Sequence, residues 1–353
     1  MENNSVDNYE CMELLGEGMF GKTYMGFDKK NNRQVVIKKM ANSAGLRLNL
    51  LNTFASPYTI KYYDRVLYNN ELWLVMEYCP MGSLALVSKS GPIMTDATLA
   101  EIAAACLLGL STLNENGMFH GDIKPSNLFV KGNGAIRLGD FCLSPLMGKS
   151  GLKKETAMYM APEVFRDEAV MKSDVWSLGV TLMTLATGRN SYEGPNAYWI
   201  MNQVCTADVP TLSSLTWSPE FVDFVNKCLV KDVNERWSVN QLLDHPFVRE
   251  SVERMRNGEC STVLKKLSEE LKKASPCKPY PRSFFFLKNG ERGLEVEEGI
   301  KIMNQNEVQG VSEEQNVIAN THTHQLVKVK LDWVRNYKEL DLGDGKKWKG
   351  LLG

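Results

Sequence analysis

The feature that most constrains the fold is a change of sequence pattern near residue 91. Before it, polar and apolar residues alternate between turns, and residues 35–37 form a β-branched run that is typical of a strand. After it, residues 96–116 are rich in alanine and leucine at helical spacing, and Gly117 follows where a helix would end. This order predicts an α+β fold with a β-rich lobe, a mainly helical lobe and a ligand-binding cleft between them.

The same patterns predict the individual elements. Residues 9–38 indicate strand, glycine loop, strand, turn and strand, and residues 71–78 indicate another strand. A leucine-rich helical pattern covers residues 45–54, and longer helices are predicted over 173–187 and 218–230.

Composition excludes some classes of partner and location. The formal net charge of the 353 residues is −1, which gives no electrostatic case for nucleic acid or an anionic membrane as the principal partner. The N-terminus is polar, and we find no apolar run near the roughly 20 residues that a membrane span needs. The eight cysteines are scattered singly without metal-ligand spacing, which indicates reduced thiols and a cytoplasmic protein.

Two elements near the N-terminus have the chemistry of a phosphate site. Gly16, Gly18 and Gly21 form a GxGxxG pattern, and the residues after them indicate a returning strand rather than a helix. This arrangement suits a flap over phosphates, although a purely structural hairpin has the same spelling. Lys38 ends an apolar strand, where its ammonium could neutralise phosphate oxygens or simply face solvent.

Three further motifs give these elements a common interpretation. Residues 120–127 read His-Gly-Asp-Ile-Lys-Pro-Ser-Asn, residues 139–142 read Gly-Asp-Phe-Cys, and residues 161–163 read Ala-Pro-Glu. In this order, and together with the glycine pattern and Lys38, they resemble the eukaryotic protein kinase family over residues 9–250. The resemblance implies a bilobal kinase fold that uses ATP and Mg²⁺.

The resemblance also implies roles for the polar residues of these motifs. Asp122 would accept or orient the proton of the substrate hydroxyl, and Lys124 would stabilise the γ-phosphate. Asn127 and Asp140 would hold magnesium through hard oxygen ligands. Lys38 would bind the ATP phosphates beneath the glycine flap.

Other positions are assigned by the same resemblance. Met76 takes the gatekeeper place, and the backbone groups of Glu77 and Cys79 would address adenine. Asp174 and Arg236 are similar to buried scaffold residues of the family, with Asp174 holding the catalytic-loop backbone.

The substrate side resembles serine/threonine kinases rather than tyrosine kinases. Lys124 stands where those enzymes have lysine, and Thr156 precedes the run 159–163. Thr156 and Glu163 would belong to the substrate platform, with Glu163 pairing with Arg236 beneath it. In wording, the motifs come closest to the STE group, which contains the mitogen-activated kinase cascades. The expected partner is therefore a protein substrate that presents serine or threonine.

Several residues depart from the family pattern. Arg47 stands where a helix-borne glutamate normally pairs with Lys38, and residues 39–63 contain no aspartate or glutamate. This departure keeps an alternative open, a pseudokinase scaffold or allosteric module that binds nucleotide without transfer. Gly121 replaces the arginine that normally binds an activation-loop phosphate, Cys142 replaces a glycine, and Thr23 replaces an apolar residue over adenine.

The predicted domain organisation has three parts. Residues 1–8 form an N-terminal tail, and residues 9–250 form the kinase domain, with the lobes divided near residue 79. Residues 251–353 form an extension of unknown family, which begins with an amphipathic helix over 251–274. That helix would dock on the kinase domain or on an external partner. An alternating stretch over 327–333 indicates a strand, so the rest is either a small β module or a partly disordered tail.

Overall fold

The computed structural model describes residues 6–18, 21–41, 56–86, 94–141 and 153–274, together with the backbone of short strands between 284 and 350. The leucine-rich segment 45–54 with Arg47, and also Cys142, lie outside the described residues.

A five-stranded sheet forms the β-rich lobe, as predicted. Its strands are β1 (Tyr9–Gly18), β2 (Gly21–Asp28), β3 (Arg33–Ala41), β4 (Tyr62–Tyr68) and β5 (Glu71–Glu77), in the spatial order β1-β2-β3-β5-β4. The β-branched residues of β3 favour a pleated, half-buried surface, and Val35 and Ile37 are fully buried. Antiparallel pairing of β3 with β5 sets Lys38 opposite Leu74.

The helical lobe is built around one long helix, α1 (Asp96–Glu115), which confirms the prediction from the alanine- and leucine-rich segment. Its first turn is capped by Thr95, whose hydroxyl accepts a hydrogen bond from the amide of Thr98 at 3.2 Å. Every residue from 98 to 110 is buried. A helix that is apolar on all sides belongs inside a core, and α1 accordingly packs against helices and a strand of its own lobe.

The composition of α1 also meets the criteria for a membrane span, which the sequence interpretation did not anticipate. Among the described residues it is the one helix long and apolar enough to cross a bilayer, and 78% of its apolar window is buried inside the structure. Core helices of water-soluble domains meet the same criteria.

The remaining elements of this lobe surround α1. A short antiparallel pair, β6 (Leu128–Val130) and β7 (Ile136–Leu138), lies on one side of it. The helices that follow are α2 (Lys154–Ala157), α3 (Met171–Thr187), α4 (Ala197–Thr206), α5 (Pro219–Cys228), α6 (Val239–Leu243), α7 (Pro246–Arg256) and α8 (Thr262–Ala274).

Two separate helices occupy the region where the sequence predicted one amphipathic helix over 251–274. Helix α7 ends at Arg256, because the Asn257-Gly258 pair that follows is a common helix stop, and α8 begins at Thr262. The apolar face of α8 is buried in the core of the helical lobe, through Leu264, Leu267 and Leu271.

The chain divides into two compact units. The first takes in Cys11–Gly26 and Val35–Ser275, and the second takes in Asp7–Glu10, Phe27–Gln34 and the strands after residue 284. Those strands are β8 (Phe284–Phe286), β9 (Arg292–Val296), β10 (Gly299–Met303), β11 (Asn316–Asn320), β12 (Leu326–Lys330), β13 (Lys338–Asp341) and β14 (Lys347–Gly350). They form antiparallel sheets in the orders β10-β9-β8, β11-β12 and β13-β14. Of the predicted strand over 327–333, the described part lies in β12.

Candidate active site

The lysine at the end of the apolar strand points into the space between the lobes. The side chain of Lys38 is 8% exposed, and its Nζ donates a hydrogen bond to Oδ2 of Asp140 at 2.9 Å. The side chain of Glu17, the acidic residue of the glycine loop, is exposed. The carboxylate of Asp140 is in direct contact with Lys38.

The backbone at Asp140 is held in an uncommon conformation. Its φ is +62°, in the left-handed region that aspartate tolerates better than most side chains. The next residue, Phe141, is buried and packs edge-on against the ring of Tyr62, with ring centroids 5.4 Å apart. The amide of Gly139 donates to the carbonyl of Asn127 at 2.9 Å. These contacts fix the Asp140 carboxylate beside the loop that carries Asn127.

A compact polar cluster forms in the loop after α1. Nζ of Lys124 lies 2.8 Å from Oδ1 of Asp122, and Nδ2 of Asn127 donates to Oδ2 of Asp122 at 2.8 Å. Lys124 also donates to the hydroxyl of Thr156 at 3.0 Å. Burial raises the pKa of Asp122, although the ammonium of Lys124 and the amide of Asn127 oppose this shift. The four predicted residues of this cluster therefore lie together.

The loop is supported from below by a fully buried aspartate. Asp174, in the first turn of α3, accepts hydrogen bonds from the amides of His120 at 2.6 Å and Gly121 at 2.7 Å. Burial raises the pKa of Asp174 to about 7, although the two amides oppose the shift. Burial lowers the pKa of His120 to about 4, and its Nδ1 accepts a hydrogen bond from the amide of Asp122.

A second buried pair lies beneath the segment that contains Thr156. Nη1 and Nη2 of Arg236 donate to the two carboxylate oxygens of Glu163 at 2.6 and 3.0 Å, and both side chains are almost fully buried. The hydroxyl of Ser173 donates to Glu163, and the remaining donors of Arg236 reach the carbonyls of Val230 and Lys172. Burial would raise the pKa of Glu163, but the guanidinium of Arg236 holds it below its ordinary value. Every charge of the pair is thus compensated.

The three glycines of the glycine loop, Gly16, Gly18 and Gly21, differ in their surroundings. Gly16 lies within β1 with open space where a Cβ would point, and Gly18 ends that strand. Gly21 begins β2 with φ +128°, and a Cβ there would overlap the backbone carbonyl of Lys39. Of Gly16 and Gly21, the structure therefore requires glycine at Gly21.

The residues that the resemblance places beside adenine, in the hinge between the lobes, lie at the end of β5 and just after it. Met76 and Glu77 are buried at the end of β5, and Cys79 is buried two residues later. Burial raises the pKa of the Cys79 thiol to about 12, which makes this thiol unreactive.

Sequence reasoning missed what surrounds Glu77. Its buried carboxylate pairs with Nζ of Lys131 at 2.6 Å and lies 3.4 Å from Nε of Arg137. Burial would raise the pKa of Glu77, but Lys131 and Arg137 hold it below its ordinary value. No local signal identifies these partners, because they lie more than fifty residues further along the chain.

The donor set fits a magnesium ion. Mg²⁺ prefers oxygen ligands and usually takes one or two protein oxygens together with water and substrate phosphates. Asp140 supplies a carboxylate, and the amide of Asn127, whose nitrogen faces Asp122, directs its oxygen away from that residue. Within the residues that the structure describes, no group of three or more His, Cys, Asp or Glu side chains could hold a metal ion.

Contacts within the first unit thus connect Lys38 and Asp140 to the loop that carries Asp122, Lys124 and Asn127, and this fold is that of a protein kinase. A family model described as "Protein kinase domain" matches residues 9–248, and the chain belongs to this family. Among curated proteins it is similar to "Serine/threonine-protein kinase pakH" of Dictyostelium discoideum, with 34% identity over 255 residues. That alignment covers 69% of this chain and 50% of the relative, so the chain spans about half the length of the curated relative it matches. The likeness to the STE group stays a prediction.

Proposed function

We propose that this chain transfers the γ-phosphoryl group of ATP to serine or threonine hydroxyls of protein substrates. The observation that carries the proposal is a cluster in which the ammonium of Lys124 lies within hydrogen-bond distance of both Asp122 and Thr156. Phosphoryl transfer requires a positioned hydroxyl and compensation of phosphate charge, with little covalent chemistry from the protein. This cluster supplies the first requirement, and Lys38 with Asp140 supplies the second.

The residues of the cluster have distinct tasks in this reaction. Asp122 orients the substrate hydroxyl and receives its proton on a carboxylate oxygen, and its raised pKa makes it a better acceptor than an ordinary aspartate. Lys124 bridges Asp122 and Thr156, which places a positive charge between the base and the substrate platform. This charge stabilises the phosphoryl group as it moves toward the hydroxyl.

The nucleotide side is organised by Lys38, Asn127 and Asp140. Magnesium, when bound, would supply positive charge against the phosphates of ATP. Asn127 and Asp140 would hold it. The ammonium of Lys38 lies beside Asp140. This contact orients Lys38 without a glutamate from residues 39–63, which contain none.

Protein substrates and a cytoplasmic location belong to the same proposal. The described cysteines, six in number, are free thiols, which suits a reducing compartment. The 34% identity to a serine/threonine kinase supports hydroxyl substrates of this type.

A transfer assay with purified full-length protein, radiolabelled ATP, Mg²⁺ and a mixture of acceptor proteins tests this function. We expect Asp122→Asn to lower the transfer rate by a factor of about 100 or more, because it removes the proton acceptor. The matched control is Asp208→Asn, which changes an exposed aspartate and should transfer at the wild-type rate.

Binding of nucleotide is measured in parallel as thermal stabilisation by ATP and Mg²⁺. Asp122→Asn should retain this stabilisation, whereas Asp140→Asn should lose its magnesium-dependent part. Wild-type stabilisation without any transfer would contradict the enzyme and support the scaffold alternative. Transfer that is equal in wild type and Asp122→Asn would also contradict the proposal.

A further inference from the structure

The hinge residue Glu77 is held by one particular hairpin. Lys131 directly follows β6 and Arg137 lies within β7, and both approach the Glu77 carboxylate. The Glu77 side chain is only 6% exposed, so its charge is compensated by these two cations and by the amide of Lys61, 3.4 Å from Oε2, rather than by water. Both cations that face Glu77 come from the hairpin.

The same hairpin is also attached to the hinge through the backbone. The amide of Met81 donates to the carbonyl of Val130 at 3.3 Å, and the amide of Val130 donates to the carbonyl of Gly82 at 2.8 Å. Val130 immediately precedes Lys131. Main-chain and side-chain contacts thus couple the start of the hairpin to both ends of the hinge.

The tip of the hairpin is held by helix α8, which lies beyond residues 9–248 that match the kinase-domain model. The hydroxyl of Ser268 approaches the carbonyl of Gly132 at 3.3 Å. Gly134 has φ +89°, and a Cβ on it would overlap the backbone of Leu264 and Lys265. The helix and the tip are in backbone-to-backbone contact, which is possible only with glycine at this position.

The strands of the hairpin are packed in the core of the lobe, whereas its tip borders a cavity. The buried strand residues are Leu128, Val130, Ile136 and Leu138. The cavity, of about 220 Å³, is lined by the tip, by Tyr58 and by the link between α7 and α8, which includes Cys260. The contacts of α8 at Gly132 and Gly134 therefore act on the tip rather than on the strands.

We propose that helix α8 acts through this hairpin to set the affinity of the hinge for ATP, with Lys131 and Gly134 as positioning residues. The inference rests on the proposed function in so far as the ligand is ATP. With α8 docked, the hairpin holds Glu77, and the backbone groups of the hinge keep one geometry toward adenine. With α8 displaced, the Glu77 carboxylate loses its fixed partners and the hinge binds ATP less tightly.

The first test compares two glycine substitutions in the full-length protein. Gly134→Ala adds backbone strain and a collision with α8, whereas Gly188→Ala adds comparable strain at φ +74° with nothing within 4 Å of the new Cβ. We expect Gly134→Ala to raise the Kd and KM for ATP with Mg²⁺ by about five- to tenfold, with kcat nearly unchanged. Gly188→Ala should leave the Kd at its wild-type value. If the Kd for ATP rose only because backbone strain destabilises the fold, it would rise equally in both variants.

The second test asks whether Lys131 and Gly134 act through the same contact. Lys131→Met should raise the Kd for ATP, and Lys227→Met, which removes another paired lysine, should not. If the hairpin transmits the effect, the Kd for ATP of the double variant Lys131→Met/Gly134→Ala should be no higher than that of the single variant with the higher Kd. Effects that multiply in the double variant would overturn the inference.

The two hypotheses fail in different ways. If wild-type protein binds no nucleotide, the proposed function fails at its first step. If wild type binds ATP and both Lys131→Met and Gly134→Ala bind it equally well, only the role of α8 is refuted. Should Gly134→Ala not fold by circular dichroism, Ser268→Ala replaces it, because that substitution removes the contact to Gly132 without backbone strain. An unchanged Kd in Ser268→Ala and Lys131→Met would then refute the role of α8.

Discussion

At the scale of residues, Glu163 and Arg236 have the least access to water of the ion pairs in the described part of the chain. Their side chains are 1% and 0% exposed, and Arg236 also lies over the ring of Trp176 at 5.3 Å from the ring centroid. Removing two charges from water costs several kcal/mol, and their mutual attraction roughly offsets that cost when all hydrogen bonds are made. The pair therefore contributes little net stability, but a broken pair is costly.

We expect Glu163→Gln to lower the free energy of unfolding by about 3–5 kcal/mol, because it leaves the Arg236 charge buried without its counterion. Urea unfolding followed by circular dichroism measures the effect. The double variant Glu163→Gln/Arg236→Met should lose less than the sum of the two single variants. Additive losses would show that the two side chains act independently.

His120 and Asp174 have pKa values shifted in opposite directions, so their effects on stability oppose each other. In the folded protein the pKa of His120 is about 4, whereas its ordinary value is 6.5. Between pH 6.5 and 4 the unfolded chain therefore binds a proton at His120 and the folded chain does not. The contribution of His120 is lost as pH falls from 6.5 to 4. Asp174, with a pKa of about 7 against 3.8 when unfolded, binds a proton in the folded state, so its contribution grows as pH falls from 7 to 4.

Two substitutions separate these contributions. Relative to wild type, the stability deficit of Asp174→Asn should grow by a few kcal/mol between pH 7 and pH 4, and the deficit of His120→Asn should shrink by a similar amount. Urea unfolding at pH 7, 5.5 and 4 measures both. Deficits that change with pH in the same direction would contradict the assignment.

Among the structural elements, the glycine loop contains positions with very different constraints. Gly21→Ala should lower the free energy of unfolding by about 2–4 kcal/mol, because its Cβ would meet the backbone of Lys39 and its φ is unfavourable for alanine. Gly16→Ala is the control, since nothing lies within 4 Å of its Cβ. Urea unfolding of both variants checks this expectation, and an equal loss in both would show that the contact with β3 is unimportant.

Elements that follow from local sequence were predictable, whereas contacts between distant residues were not. The composition of α1 and the β-branched residues of β3 specify a helix and a strand without reference to the rest of the chain. The end of α7 at Arg256 was missed, because the leucines of α8 extend the apparent helical period across the break. The partner of Lys38 was equally hidden, because Asp140 approaches it only once both lobes have formed.

At the scale of the whole molecule, the first part of the extension belongs to the helical lobe. Glu101, buried in the second turn of α1, pairs with Arg254 of α7, and burial raises the pKa of Glu101 despite that partner. Helix α8 then buries three leucines in the same core. The folded core thus extends past residue 248, where the match to the family model ends.

Two truncated chains test this extension of the core. A chain that ends at Gly258 lacks α8, and a chain that ends at Ser275 keeps it. The shorter chain should be less stable by several kcal/mol, since each buried leucine contributes about 1.5–3 kcal/mol. Thermal and urea unfolding compare them, and equal stability would show that α8 lies on the lobe without supporting it.

The separation of Lys38 from Asp140 has a consequence for synthesis of the protein. The two residues are 102 positions apart, and Glu163 and Arg236 are 73 positions apart. On the ribosome, the glycine loop is therefore synthesised long before Asp140, whose carboxylate faces Lys38. The contact between Lys38 and Asp140 can therefore form only after translation has passed Asp140, so the two lobes are joined at this point late in synthesis.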